Sequence, residues 1–341
     1  MKTTTYSIFD NILPNSFIIE SQLLKRLNSN ELYYNIIQSK TFKRLKNIHF
    51  LGAIDYLYKN KKKHTRYEHT ISVALLALKY SDLAKLTYHE EQYLVTGALL
   101  HDIGHAPLSH SMEPAFKKRF NLSHHLAGLN IIAGTSPLGT EIRDILKNHK
   151  IDLNKIVNLL NNDSKERYAY AFSSPINIDT IDGIMRSYTY LTNRNNKNSK
   201  LTLKPTIFDI LEATFTKNQA VLDEFWQLKN QVYAELIHAD LHIYADYYSQ
   251  NFALNENTIQ INDFYLSERK FKNKYKFLFE NLENLKAVQQ QETISYIKRF
   301  YRINYKVDLK NINCLEEKYT QQKIGDTRIL KSNIHQISSI F

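Results

Sequence analysis

Between His69 and Leu86 apolar side chains return every third or fourth position (Ile71, Ala74, Leu75, Leu78, Leu83), the spacing of a buried helix. Glu90 to Leu100 repeats the pattern through Leu94, Ala98 and Leu99, and residues 31–48 show it at Leu32, Ile36, Ile37, Phe42 and Leu45. An irregular lead and a first helix near Ser21 to Asn28 precede these. Beyond them the spacing predicts a helix opened by His110, another from His124 with Ser123 as its N-cap, and two short amphipathic helices within 138–162. It also predicts a short helix over Phe208 to Phe215 and one long helix from Leu222 to Phe252, with further helices through 256–300. Leu191 to Lys204 carries Arg194, Lys197, Lys200 and Lys204 without an acid and reads as an exposed loop. Weak alternation over Tyr301 to Leu309 and Asp326 to Leu330 predicts strands. The expected fold is an all-α helical bundle over residues 1–255, followed by a small mixed α/β C-terminal appendage over 256–341.

Composition supports that class. Hydrophobic residues make up 43% of the 341, enough for a packed core, and only 8 Gly and 6 Pro interrupt the helical periodicity. Cys314 is the single cysteine, which excludes an internal disulfide framework and a cysteine zinc site. No apolar run approaches a membrane span and residues 1–10 lack a signal-peptide core, so a soluble cytoplasmic protein is expected. The net charge of +11 has two readings, a surface for single-stranded nucleic acid or polyphosphate, or the lysine-rich usage of an AT-rich genome.

Eight of the 13 histidines fall between positions 64 and 125, and this clustering carries the chemistry. The helix ending at Leu100 runs into His101-Asp102, and Gly104 is expected to stop it. His69 lies upstream, while Asp179 and Asp182 share one face of a later helix. Two imidazoles and two carboxylates on three separated helices can converge in a bundle core on a divalent transition metal (Fe, Mn, Zn, Co or Ni), with Mg as an additional ion. Such a metal would activate a water as nucleophile toward a phosphoryl group. Arg66, Lys62, Lys63 and Arg186 are candidate phosphate-binding cations. His110 and Glu113, three apart, can hydrogen-bond, so the ring could donate a proton to a leaving oxygen, with His105, His124 and His125 close by. A lone His-Asp pair arises often by chance; the joint spacing of these groups is the informative signal.

Three segments resemble the H…HD…D signature of the HD-domain metal-dependent phosphohydrolases: Arg66-Tyr67-Glu68-His69, Leu100-His101-Asp102-Ile103-Gly104-His105 through His110, and Asn177-Ile178-Asp179-Thr180-Ile181-Asp182. The similarity extends over roughly residues 25–255 and is nearest to the deoxynucleoside triphosphate triphosphohydrolases, including the bacterial dGTPases. The resemblance implies an HD-type bundle in which His69, His101, Asp102 and Asp179 are the metal ligands. It implies that His110, oriented by Glu113, is catalytic, that His105 and His124 lie in the active site, and that Arg66 contacts phosphate. It further implies a dimer or tetramer. Two positions depart from the family: Thr180 stands where a basic residue is usual and Gly183 where a tyrosine is usual, both of which touch triphosphate in the relatives. The expected activity is hydrolysis of a nucleotide, most simply a dNTP to deoxynucleoside and triphosphate. The alternatives are a nuclease or phosphodiesterase on single-stranded nucleic acid or a signalling oligonucleotide, and a non-hydrolytic nucleotide sensor.

Overall fold

Apolar side chains surround helix α4 (Arg66–Ala84) on nearly every side: Val73, Ala74, Leu75, Leu76, Ala77 and Leu78 are fully buried. A helix apolar all round belongs at the centre of a domain. In the computed structural model, which describes residues 14–58, 63–195 and 204–285 and four short strands between 288 and 334, α4 is that centre. It packs against α1 (Pro14–Ser29), α5 (Tyr88–Leu100), α11 (Ile178–Asn195) and α12 (Ile207–Thr216).

Before α4 come α2 (Glu31–Gln38), α3 (Lys40–Lys43) and two 3₁₀ turns, Arg44–Asn47 and Gly52–Tyr56. A capping box starts α4: Thr65 Oγ1 accepts from Glu68 N at 3.2 Å, and Glu68 Oε2 accepts from Thr65 N at 2.7 Å. Glu68, inside the motif segment, and Thr65, just before it, therefore fix where the helix begins. After α5 follow α6 (Ser109–Phe120), α7 (His124–Ala133), α8 (Glu141–Asn148), α9 (Leu153–Leu160) and α10 (Tyr170–Ser173). Ser123 caps α7, its side chain accepting from Leu126 N at 3.3 Å as expected.

Three expectations need correction. The helix expected from Leu222 to Phe252 is two helices, α13 (Gln219–Gln231) and α14 (Asp240–Asn255), joined by a π-turn over Val232–Ile237. The buried His242 ring donates from Nδ1 to Leu236 O at 2.5 Å, satisfying a carbonyl that the break releases. The loop expected from Leu191 begins instead as helix, since α11 continues to Asn195 with Leu191 in the core; residues 196–203 lie outside the described residues. The expected boundary at 255/256 is no break in packing. After a 3₁₀ turn at Ile261–Tyr265, α15 (Glu268–Lys274) and α16 (Lys276–Asn284) place Phe271, Leu278, Phe279 and Leu282 in the same core.

Strands β1 (Val288–Gln289) and β4 (Asn333–Ile334) pair parallel, and β2 (Glu292–Tyr296) pairs antiparallel with β3 (Asp326–Leu330), from Glu292 opposite Leu330 to Tyr296 opposite Asp326. The strand expected over Asp326–Leu330 is β3; the one expected over Tyr301–Leu309 lies outside the described residues. Among the described residues the bundle is all-α, and no helix is long and apolar enough to cross a membrane.

Candidate metal centre and its histidine relay

Three helix ends meet beside α4. His69 sits in its first turn, His101 and Asp102 follow the end of α5, and Asp179 lies in the first turn of α11. His69 Nε2 is 3.3 Å from His101 Nε2, 3.1 Å from Asp179 Oδ1 and 3.5 Å from Asp102 Oδ2. His101 Nε2 is 3.7 Å from Asp102 Oδ1 and 3.9 Å from Asp179 Oδ1.

The surroundings fix which atoms face this cluster. His101 Nδ1 donates to Ala98 O at 2.7 Å, and His69 Nδ1 donates to Asp182 Oδ2 at 2.6 Å. With both Nδ1 atoms carrying the hydrogen, both Nε2 atoms of the neutral rings present lone pairs to each other and to two carboxylates. Four lone-pair donors at such separations repel unless a cation lies among them. Burial lowers the His69 pKa, but hydrogen bonds to Asp179 and Asp182 outweigh burial and raise it to about 9, so the surroundings favour a positive charge here, which a proton or a metal ion can supply. Two imidazoles with two carboxylate oxygens suit Fe, Mn, Zn, Co or Ni. The donor set thus fits a divalent transition ion.

Asp182 and Arg186 lie behind this set. Both are buried, and Arg186 donates from Nε to Asp182 Oδ2 at 2.9 Å and from an Nη to Oδ1 at 3.0 Å. Burial opposes the charge on Asp182, and Arg186 outweighs it, holding the carboxyl down at about 2. Arg66 is likewise turned inward, donating to Asp102 Oδ2 (2.8 Å), Ser109 Oγ (3.0 Å) and Phe50 O (3.1 Å). Against the expectation of phosphate-binding cations, both guanidiniums are committed to buried carboxylates that orient or form the centre. Lys63 lays its ammonium 4.6 Å over the Tyr56 ring, and Lys62 lies outside the described residues.

A second histidine group adjoins the first through Asp102, whose Oδ1 is 3.1 Å from His105 Nε2. His110 Nδ1 donates to Glu113 Oε2 at 3.0 Å, and His124 Nδ1 donates to Oε1 at 2.6 Å. Glu113 also accepts from the His124 backbone N at 3.0 Å. Burial would raise the Glu113 pKa, and its two histidines draw it far below the usual carboxylate range instead. Desolvation and the nearby Arg66 charge push the His110 pKa down to about 4 against the pull of Glu113. His105, His110 and His124 have ligand atoms close enough for a metal. However, the His105 and His124 rings stack 4.3 Å apart at 8°, so their in-plane lone pairs run parallel and do not converge. What joins the group is Glu113, shared by His110 and His124, with His105 stacked on the His124 ring. Solvent reaches the centre at Asp179 and His110, whose side chains are 50% and 40% exposed, whereas that of His69 is 1% exposed.

The loop between the groups is held from afar. Leu108 and Ser109 both have positive φ, 59° and 46°, immediately before His110. Glu268, from α15, accepts from Leu108 N at 3.1 Å and from His49 N at 3.1 Å, and Ser109 Oγ donates to His49 O at 2.7 Å. Arg44 donates to His105 O (2.8 Å) and Ile103 O (2.7 Å). Gly104 does not stop α5, which ends at Leu100. It is required because a Cβ there would lie 2.1 Å from His124 O and 2.3 Å from Gly128 N. Glu268, Arg44 and Phe50 were not candidates from the sequence; no local pattern marks them.

Comparison with known proteins bears on this geometry. Residues 66–176 match the family model described as HD domain, with Asp179 just beyond the matched segment. The uncharacterized MG461 homolog of Mycoplasma pneumoniae is 32% identical over 168 residues, 47% of this chain and 39% of that protein. The uncharacterized YwfO of Bacillus subtilis is 27% identical over 165 residues, 47% of this chain and 36% of that protein. The chain thus spans less than two fifths of the length of these relatives. A Dictyostelium discoideum protein named deoxynucleoside triphosphate triphosphohydrolase SAMHD1 homolog is 33% identical over 86 residues, 23% of this chain and 16% of that protein. A solved phosphohydrolase from Bacteroides thetaiotaomicron superposes with a TM-score of 0.56 at 17% identity, covering 79% of this chain and 76% of that one, and shares the fold.

Proposed function

We propose that this chain is a metal-dependent phosphohydrolase acting on nucleotides, most simply a dNTP triphosphohydrolase. The observation that carries the reading is the pairing of a cation-demanding donor set with the half-exposed His110–Glu113 pair at its open side. In this reading His69, His101, Asp102 and Asp179 hold a divalent ion, which supplies a Lewis acid for a phosphoryl oxygen and lowers the pKa of a water. Asp182 and the Ala98 carbonyl keep both Nε2 atoms free of hydrogen.

His110, neutral at pH 7, accepts a proton from the attacking water at Nε2, and the Glu113 carboxylate offsets the charge that then forms on the ring. This assigns His110 the acceptor role in place of the donor role expected from the sequence. His124 shares Glu113 and keeps that carboxylate ionised. His105 packs beneath, between Asp102 and the His124 ring.

A second reading has its own support. Arg66 and Arg186, the guanidiniums expected to grip a polyphosphate, are both turned into the protein. That favours a substrate with a single phosphodiester, as in a cyclic nucleotide or an oligonucleotide. One product assay separates the two. Full-length protein loaded with Mn, Fe or Co is incubated with dNTPs, NTPs, cyclic nucleotides and short oligonucleotides beside an Asp102→Ala control. Intact triphosphate supports the first reading and mononucleotide the second; turnover of neither class refutes both. Self-association as a dimer or tetramer belongs to this proposal and is read by light scattering on the same protein.

A further inference from the structure

Phe50 adjoins the centre and has no part in the chemistry above. Its ring centroid lies 4.9 Å from that of His69 at 46°, and the Arg66 guanidinium lies 4.7 Å from it. Arg66 and His69 are three residues apart on α4, so both approach the ring from that helix. The backbone beneath the ring is pinned: Phe50 N donates to His64 O at 2.9 Å, Phe50 O accepts from Arg66, and His49 bridges Thr65. The ring is firmly placed yet only half-buried.

Gly183 stands at the ring's edge. It follows Asp179 by four residues on α11 and so shares its face of the helix. A Cβ at Gly183 would meet one atom within 4 Å, Phe50 Cζ at 3.7 Å. A longer side chain there would extend across the edge of Phe50 beside Asp179; glycine leaves it uncovered. An aromatic ring, a bare glycine and a half-exposed carboxylate therefore border one slot at the open side of the centre.

We propose that Phe50 determines specificity as the aromatic wall against which the planar base of the substrate stacks, with Gly183 keeping that wall accessible. This rests on the reading of the chain as a nucleotide phosphohydrolase and names the part of the nucleotide that Phe50 recognises. Stacking is tolerant of base identity because every base has a π-face. The slot therefore demands a base while discriminating weakly among bases.

The test uses metal-loaded full-length protein: wild type, Phe50→Leu, Phe50→Trp and Gly183→Leu. Binding and turnover are measured for dATP, ATP, cyclic AMP and a short oligoadenylate, with deoxyribose 5-triphosphate lacking a base as the control ligand. Phe50→Leu, which keeps an apolar side chain against α4, should raise Kd and KM for the best-bound nucleotide about tenfold and leave affinity for the base-free control unchanged. Phe50→Trp should restore binding, and Gly183→Leu should weaken it as Phe50→Leu does. Nucleotide turnover with Kd and KM unmoved in Phe50→Leu overturns the wall and leaves the hydrolytic reading standing. Phe50-dependent binding without turnover supports the wall and overturns the hydrolytic reading. A wild type that binds no nucleotide overturns the wall.

Discussion

His69 donates from Nδ1 to Asp182 at 2.6 Å, and this one bond decides which nitrogen of the ring faces the metal cluster. Asp182 in turn is held ionised by Arg186. Asp182→Asn removes the charge and allows an amide N–H to face the ring, which favours the wrong tautomer. Metal affinity should fall about 10- to 100-fold, as for other hydrogen-bond partners of metal ligands. Competition against a chromophoric chelator measures it, and an unaltered affinity would show that Asp182 does not set the tautomer.

Glu113 serves two rings at once. Glu113→Gln should cut kcat by about 100-fold or more while metal content stays stoichiometric, because the ligands themselves are untouched. His110→Ala should do the same, and the double variant should be little worse than either single one, since the two act as a unit. Additive losses would place them in separate steps.

Glycine to alanine should act with opposite sign at two positions. At Gly104 the new methyl meets backbone atoms of α7 at 2.1 and 2.3 Å, which cannot yield without moving the helix. A loss of about 1–3 kcal/mol is expected from denaturant midpoints. At Gly183, mid-helix, the methyl makes one ordinary contact at 3.7 Å, and the helix gains up to about 1 kcal/mol from the better helix former.

Glu20 is buried on α1, and desolvation raises its pKa to about 7. The unfolded chain ionises it near 4.5, so between these values the folded state holds one proton more. Its contribution to stability is complete below 4.5 and is lost as pH rises to about 7, at about 1.4 kcal/mol per pH unit. Glu20→Gln should match wild type at pH 4 and exceed it at pH 8 in thermal melts. Parallel curves at all pH values would mean that Glu20 is solvated.

Residue type and spacing single out His69, His101-Asp102 and the pair Asp179 and Asp182 as candidate donors, but only the resemblance to the HD-domain phosphohydrolases chooses Asp179 over Asp182. The cationic roles were not legible. A sequence shows that Arg66 and Arg186 are charged, but not that each has a carboxylate waiting inside the bundle. The break at 232–239 was hidden for a related reason. Its apolar spacing is continuous, and the residue that stabilises it, His242, looks like one more position on the same face. Glu268 lies 160 residues from the loop it holds, so no local pattern announces it.

That last bond has a consequence for how the protein matures. All the proposed donors and the relay lie before residue 196, but the left-handed pair Leu108–Ser109 depends on a carboxylate that leaves the ribosome much later. A nascent or truncated chain ending before Glu268 would hold every ligand and still lack the anchor that aims His110. Synthesis thus delivers the anchor of this loop last, long after the residues proposed to hold the metal and to act beside it have been made.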